Sequence, residues 1–76
     1  MVLDHESPVS LYVQLADILR GRIERGELTG RIPAAKALAV EYEVAQGTVE
    51  KALAILRQEG LIISAVGRGH FVAKRG

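Results

Sequence analysis

The side chains of this chain leave little scope for covalent or redox chemistry. There is no cysteine, so it can build no disulfide framework, thiolate nucleophile or cysteine-based zinc site. The two histidines are His5, near the start, and His70, near the end. No carboxylate pair, nucleophile elbow or phosphate loop accompanies them. Gly67-Arg68-Gly69 is rich in glycine but joins two strand-like segments and opens no helix, so it does not read as a nucleotide-binding loop. No catalysis, metal or cofactor is expected. What the turn offers is recognition of an anion. Gly67 and Gly69 permit positive φ and leave the backbone bare. Arg68 between them presents a guanidinium to a phosphate or to a narrow groove. The plain alternative is a solvated turn charge.

Charge distribution points the same way as that turn. Net charge is only +1, weaker than that of most nucleic-acid binders. From Gly60 onward, however, the chain carries Arg68, Lys74 and Arg75 and no acid, whereas the first thirty residues mix Asp4, Glu6, Asp17, Glu24 and Glu27 with Arg20, Arg22 and Arg25. A length of 76 residues allows one small domain, of which about 60% of the unfolded surface is buried on folding. With no tryptophan and one phenylalanine, aliphatic residues must build the core. The longest apolar run, 52–56, falls far short of the roughly 18 residues that read as a membrane span. Residues 1–6 carry Asp4 and Glu6, so no secretory leader is expected, and a cytoplasmic location fits best.

The elements that must position the turn can be read from periodicity. Residues 1–7 are expected to be a flexible leader and 8–76 the folded domain. Ser7-Pro8 is a helix start, serine as cap and proline in the first turn. Leu11, Leu15, Ile18, Leu19 and Ile23 then mark one helix face over about 9–25. Gly26, Gly30 and Pro33 punctuate a loop. A short helix fits 34–42, with Leu38, Ala39 and Tyr42 inward. Glu43-Val44 is a tight turn, and a third helix is expected over about 45–59. Its Val49, Ala52, Leu53 and Leu56 keep i, i+3, i+4, i+7 spacing, and Gly60 caps it. Leu61-Ile62-Ile63, the turn 66–69 and His70-Phe71-Val72-Ala73 read as a β-hairpin.

Helix, helix, tight turn, helix, hairpin is the order of a winged helix-turn-helix, a mainly α fold with a small β-hairpin. The chain resembles the N-terminal domain of the GntR family of regulators. The resemblance rests on Leu11-Tyr12, Gly26-Glu27-Leu28, Ile32-Pro33, Leu38-Ala39, Val44, Thr48-Val49, Ala52-Leu53, Leu56, Glu59-Gly60-Leu61-Ile62, Gly67-Arg68-Gly69 and Phe71-Val72. It runs from about Pro8 to Ala73. Most of these residues are expected to pack the fold and to touch no ligand.

The resemblance implies DNA contacts from the start of the second helix, the start of the third and the wing tip. Lys36 stands where the family has arginine. It can meet a phosphate but lacks the fork that grips guanine, and the acid usual before it is Ala35. Ala45-Gln46 replace the family's Ser-Arg, which removes an N-cap worth about 1 kcal/mol. Gln46 can read an adenine edge, and Thr48 a phosphate or a thymine methyl. Gly47 keeps the surface low. Glu50 stands where a basic residue is frequent. It either accepts from cytosine N4, orients Lys51 or Gln46, or is a surface acid. Gly67, Arg68, Gly69 and His70 complete the expected interface, with His70 equally readable as a half-exposed strand residue. Glu43 occupies a turn position that favours glycine.

The function implied is sequence-specific reading of double-stranded DNA by a transcriptional regulator, a repressor by expectation. The third helix would lie in the major groove, with the wing at the minor groove or phosphates. In the longer proteins of the family a second domain makes the homodimer, which faces a palindromic operator, and binds a small effector. That domain does not fit in 76 residues. The competing reading is a winged-helix module that binds protein. It needs an apolar patch on the outer side of the third helix, where the sequence instead has Gln46, Glu50, Lys51 and Arg57.

Overall fold

The computed structural model describes residues 3, 6, 9–65 and 67–73. They form α1 (Leu11–Glu24), α2 (Ala35–Tyr42), α3 (Gln46–Gln58), β1 (Ile62–Ala65) and β2 (Gly69–Val72). The strands pair antiparallel, Ile62 opposite Val72 and Ala65 opposite Gly69. Three helices and a wing stand in the expected order. Ser7-Pro8, His5, Val66, Lys74 and Arg75 lie outside the described residues.

The helices start on backbone alone. α1 begins at Leu11 rather than 9, and the Ser10 carbonyl accepts from the Val13 and Gln14 amides at 3.0 and 3.1 Å. Ala34 and Ala45 act as N-caps with no side-chain hydrogen bond to offer.

Their ends share one device. After α1 the Glu27 amide donates to the Arg22 carbonyl at 2.8 Å and Gly26 to Ile23 at 3.1 Å. After α3, Leu61 donates to Leu56 and Gly60 to Arg57, both at 3.0 Å. After α2, Val44 donates to Ala39 at 3.0 Å and Glu43 to Val40 at 3.3 Å. Each is a paired closure of the Schellman type around a residue of positive φ. Gly26 and Gly60 fill that place after α1 and α3, and Glu43 fills it after α2 at φ 56°.

The core is aliphatic, as the composition requires. Leu15 and Leu19 of α1, Leu38 of α2, Val49, Leu53 and Leu56 of α3, and Ile62 of β1 are sealed from solvent. Ala16 and Ala52 are buried too. Small side chains on both helices let α1 approach α3 closely. Three buried leucines come from outside the helices, Leu61 after α3 among them. Leu28 lies in the loop after α1, and Leu3, within the segment expected to be a flexible leader, is 8% exposed and joins the core.

The wing departs from the expected hairpin in two ways. Its strands are shifted: β1 starts at Ile62 because the Leu61 amide closes α3, and β2 starts at Gly69. It also has a third member, in the segment expected to be a plain loop. Arg31 bridges Phe71 in antiparallel sense. The Ile32 amide donates to the His70 carbonyl at 2.9 Å and Val72 to Gly30 at 2.8 Å. Buried Ile32 pins this edge, so the wing is fastened both to α3 and to the loop between α1 and α2.

Candidate nucleic-acid interface

The expected contact residues fall on three exposed stretches. At the start of α3, Ala45, Gln46, Gly47, Glu50 and Lys51 are exposed and Thr48 is half-buried. A side chain added at Gly47 would meet nothing within 4 Å, so glycine here lowers the surface and serves no packing need. Opposite them, Val49, Ala52, Leu53 and Leu56 anchor the helix without exposure. The outer side therefore carries Gln46, Glu50, Lys51 and Arg57, all polar. The Lys51 ammonium stands 5.6 Å from the centre of the Tyr12 ring, a cation–π contact that steadies the side chain against α1.

Lys36 is exposed in the first turn of α2. Neither α2 nor α3 has an acidic residue in its first turn. The partial positive charge of each N-terminus is thus left uncompensated from within, and at α2 a lysine adds to it. Such an end gains from an external anion.

The wing turn holds Gly67 at φ 76° and Gly69 at φ 96°, a backbone that L side chains rarely adopt. The Arg68 amide donates to the Ala65 carbonyl at 2.9 Å, which closes the turn, and the Arg68 side chain is exposed. Behind it a short polar chain reaches the wing from α3. Arg57 Nη1 donates to Ser64 Oγ at 3.3 Å, and that oxygen lies 3.0 Å from His70 Nδ1. His70 is half-buried and held from behind, its ring set by a cross-strand serine. Sequence reasoning named His70 but missed this chain, since only the register brings Ser64 to its side.

The charges divide by location. Arg20 grips both oxygens of Glu59 at 2.7 and 2.6 Å and also bonds Asp17. Those hydrogen bonds, from Glu59 first, raise the arginine's pKa, and the bond from Arg20 lowers that of Glu59. Arg22 donates to the Tyr42 hydroxyl at 2.8 Å and reaches Glu41 at 3.4 Å. Arg25 bonds Glu27 at 2.7 Å, which raises the pKa of the first and lowers that of the second. All three arginines of this end are thus neutralised. Among the described residues, Arg31, Lys36, Lys51, Arg57 and Arg68 have no carboxylate within ion-pair distance. The arginines of this end are thus occupied by carboxylates, whereas among the described residues the cations at α2, α3 and the wing have no such partner. Among these described cations, Arg31 is one that sequence reasoning did not single out.

Among the described residues no group of histidine and carboxylate side chains is arranged to hold a metal ion. None of the helices there is long and apolar enough to cross a membrane.

Comparison with known proteins gives one answer. The profile of the bacterial regulatory proteins of the gntR family matches residues 11–72. The HTH-type transcriptional repressor NagR of Bacillus subtilis is 34% identical over 97% of this chain and 31% of its own length. YtrA from Sulfolobus acidocaldarius, a GntR-family transcription factor, superposes with a TM-score of 0.87 at 33% identity, covering 97% of this chain and 80% of that one. AraR(DBD) in complex with operator ORE1 superposes with a TM-score of 0.82 at 30% identity, over 93% of this chain and 89% of that one. The chain spans about a third of the length of the curated relatives it matches. On fold, on sequence and on the profile alike, it belongs to the gntR family of bacterial regulatory proteins.

Proposed function

We propose that this chain is the DNA-reading head of a transcriptional regulator and binds a specific duplex operator. The observation that carries this reading is the charge division: Lys36, Lys51, Arg57 and Arg68 have no carboxylate partner among the described residues and stand beside two helix first turns that lack acids. Phosphodiester groups are the ligand such a surface wants. In this reading the N-terminal half of α3 enters the major groove. Gln46 and Thr48 face base edges, Glu50 accepts from a cytosine amino group, and Gly47 with Ala45 lets the backbone come close. Lys36 and Lys51 meet phosphates, and Gly67, Arg68, Gly69 and His70 engage the neighbouring minor groove or its phosphates. The likeness to an operator-bound domain and to a repressor supports operator binding and repression. The longer protein would bind a palindrome as a homodimer, answer to a small effector through a domain beyond this chain, and work in the cytoplasm.

Selection from a pool of random duplexes at low and at moderate salt, with the chain and with Arg68→Ala, tests the reading. One enriched motif, weakened by salt and by the substitution, is the expected outcome. Failure to retain duplex DNA even at low salt would overturn it in favour of a protein-binding winged helix.

A further inference from the structure

We infer that Arg31 is a DNA-phosphate contact, carried by the segment bridged to β2 and acting with Arg68. The inference rests on the DNA-binding reading above and adds a residue that the helix-turn-helix pattern does not contain. Arg31 precedes the buried anchor Ile32, and its backbone is bridged to Phe71. Ile63 also pairs with Phe71. Facing residues of paired strands share a sheet face, and so do residues two apart on one strand. Arg31, Ile63, Phe71 and Gly69 therefore lie on one side of the wing, away from the face on which Ile62 is buried.

On that side the Arg31 side chain runs along β2 to the turn. A methyl group placed on Gly69 would stand 3.7 Å from Arg31 Nε and 3.8 Å from Nη2. The absence of a side chain at Gly69 leaves the surface over which the guanidinium lies. Gly69 follows Arg68 directly, so the two exposed arginines flank one glycine at the wing tip. Neither has a carboxylate within ion-pair distance among the described residues. Every arginine of α1, in contrast, has found one. Two exposed arginines at one wing tip, with no carboxylate partner among the described residues, are matched by the diester oxygens of a nucleic-acid strand. Since the backbone on either side of Arg31 is hydrogen-bonded to β2, the residue brings its charge at little cost in order.

A phosphate contact has a measurable signature. It adds about 0.9 to the slope of log affinity against log salt and acts alike on all sequences. Duplex affinity of the chain and of Arg31→Gln and Arg31→Lys should be measured from low to high salt, on an enriched and on an unrelated duplex, with thermal unfolding of each protein alongside. Arg31→Gln is expected to lose about 0.9 of slope, which makes it about eightfold weaker at 0.1 M salt and near parity at 1 M. The loss should be equal on both duplexes. Arg31→Lys is expected to keep the slope. An unchanged slope in Arg31→Gln, or equal losses in Gln and Lys variants, overturns the inference while leaving the DNA reading intact. Absence of any duplex binding by the unsubstituted chain overturns both.

Discussion

Glu43 holds φ at 56° and ψ at 47°, alone among the described non-glycine residues in having positive φ. Its conformation is imposed from both sides. The turn must reverse the chain between Tyr42 and Gln46, and two amides, those of Glu43 and Val44, must return to carbonyls of α2. An L side chain in that region crowds the following carbonyl by about 1–2 kcal/mol. The exposed carboxylate makes no ion pair in return among the described residues. Glu43→Gly is therefore expected to stabilise the domain by about 1 kcal/mol, a rise in Tm of about 4–8 °C at this size. Thermal unfolding monitored by circular dichroism checks it, and an unchanged or lowered Tm would mean that the glutamate side chain is compensated in some other way. The sequence flagged this position because helix-turn-helix turns favour glycine there. The dihedrals show that the turn keeps its shape and the residue bears the strain.

Among the elements, α3 was the most legible and the wing the least. Val49, Ala52, Leu53 and Leu56 recur at the spacing of one helix face, and all four are buried. A periodic face of that kind survives any tertiary arrangement that buries it. The bridged segment at 30–32 has no such signature. Gly30-Arg31-Ile32-Pro33 shows no alternation, and its pairing partner lies some forty residues away in β2. Nothing local specifies it, which is also why the sequence did not single out Arg31. Leu28 and Leu3 are buried for the same reason: loops and leaders are covered by what folds over them. Likewise the strand bounds slipped, since Leu61 serves α3 as a closing residue before the wing can begin. The start of α3 carries its own prediction. Ala45 has the extended dihedrals of an N-cap, φ −65° and ψ 148°, but no oxygen on its side chain. Ala45→Ser is expected to add about 1 kcal/mol by accepting from the Gly47 or Thr48 amide. Urea unfolding would register this as a higher midpoint at unchanged slope. A midpoint that does not move would mean that the first-turn amides are already satisfied by water at no loss.

For the whole molecule, the division of charge serves stability at one end and leaves the other free for a ligand. Arg20 ties α1 to Glu59, the cap residue of α3, so its pair fastens α1 to the end of α3. Two of the carboxylates held by arginines here, Glu59 and Glu27, have their pKa lowered by those hydrogen bonds. A lowered pKa in the folded state means stabilisation that is complete above the ordinary glutamate range, near pH 4, and is lost as pH falls through the folded value. The domain should therefore lose Tm progressively below about pH 4. Exposed pairs contribute modestly, so the informative quantity is a difference between proteins. Glu59→Gln is expected to melt below the unsubstituted chain at neutral pH and to converge on it in acid, because protonation removes from the parent what the substitution has already removed. Parallel curves from neutral to acid pH would show that the Arg20–Glu59 pair contributes no net stability. The same comparison bears on the partition itself. Because this pair lies among residues already neutralised at the α1 end, Glu59→Gln should leave the salt slope of duplex binding unchanged even where it lowers Tm.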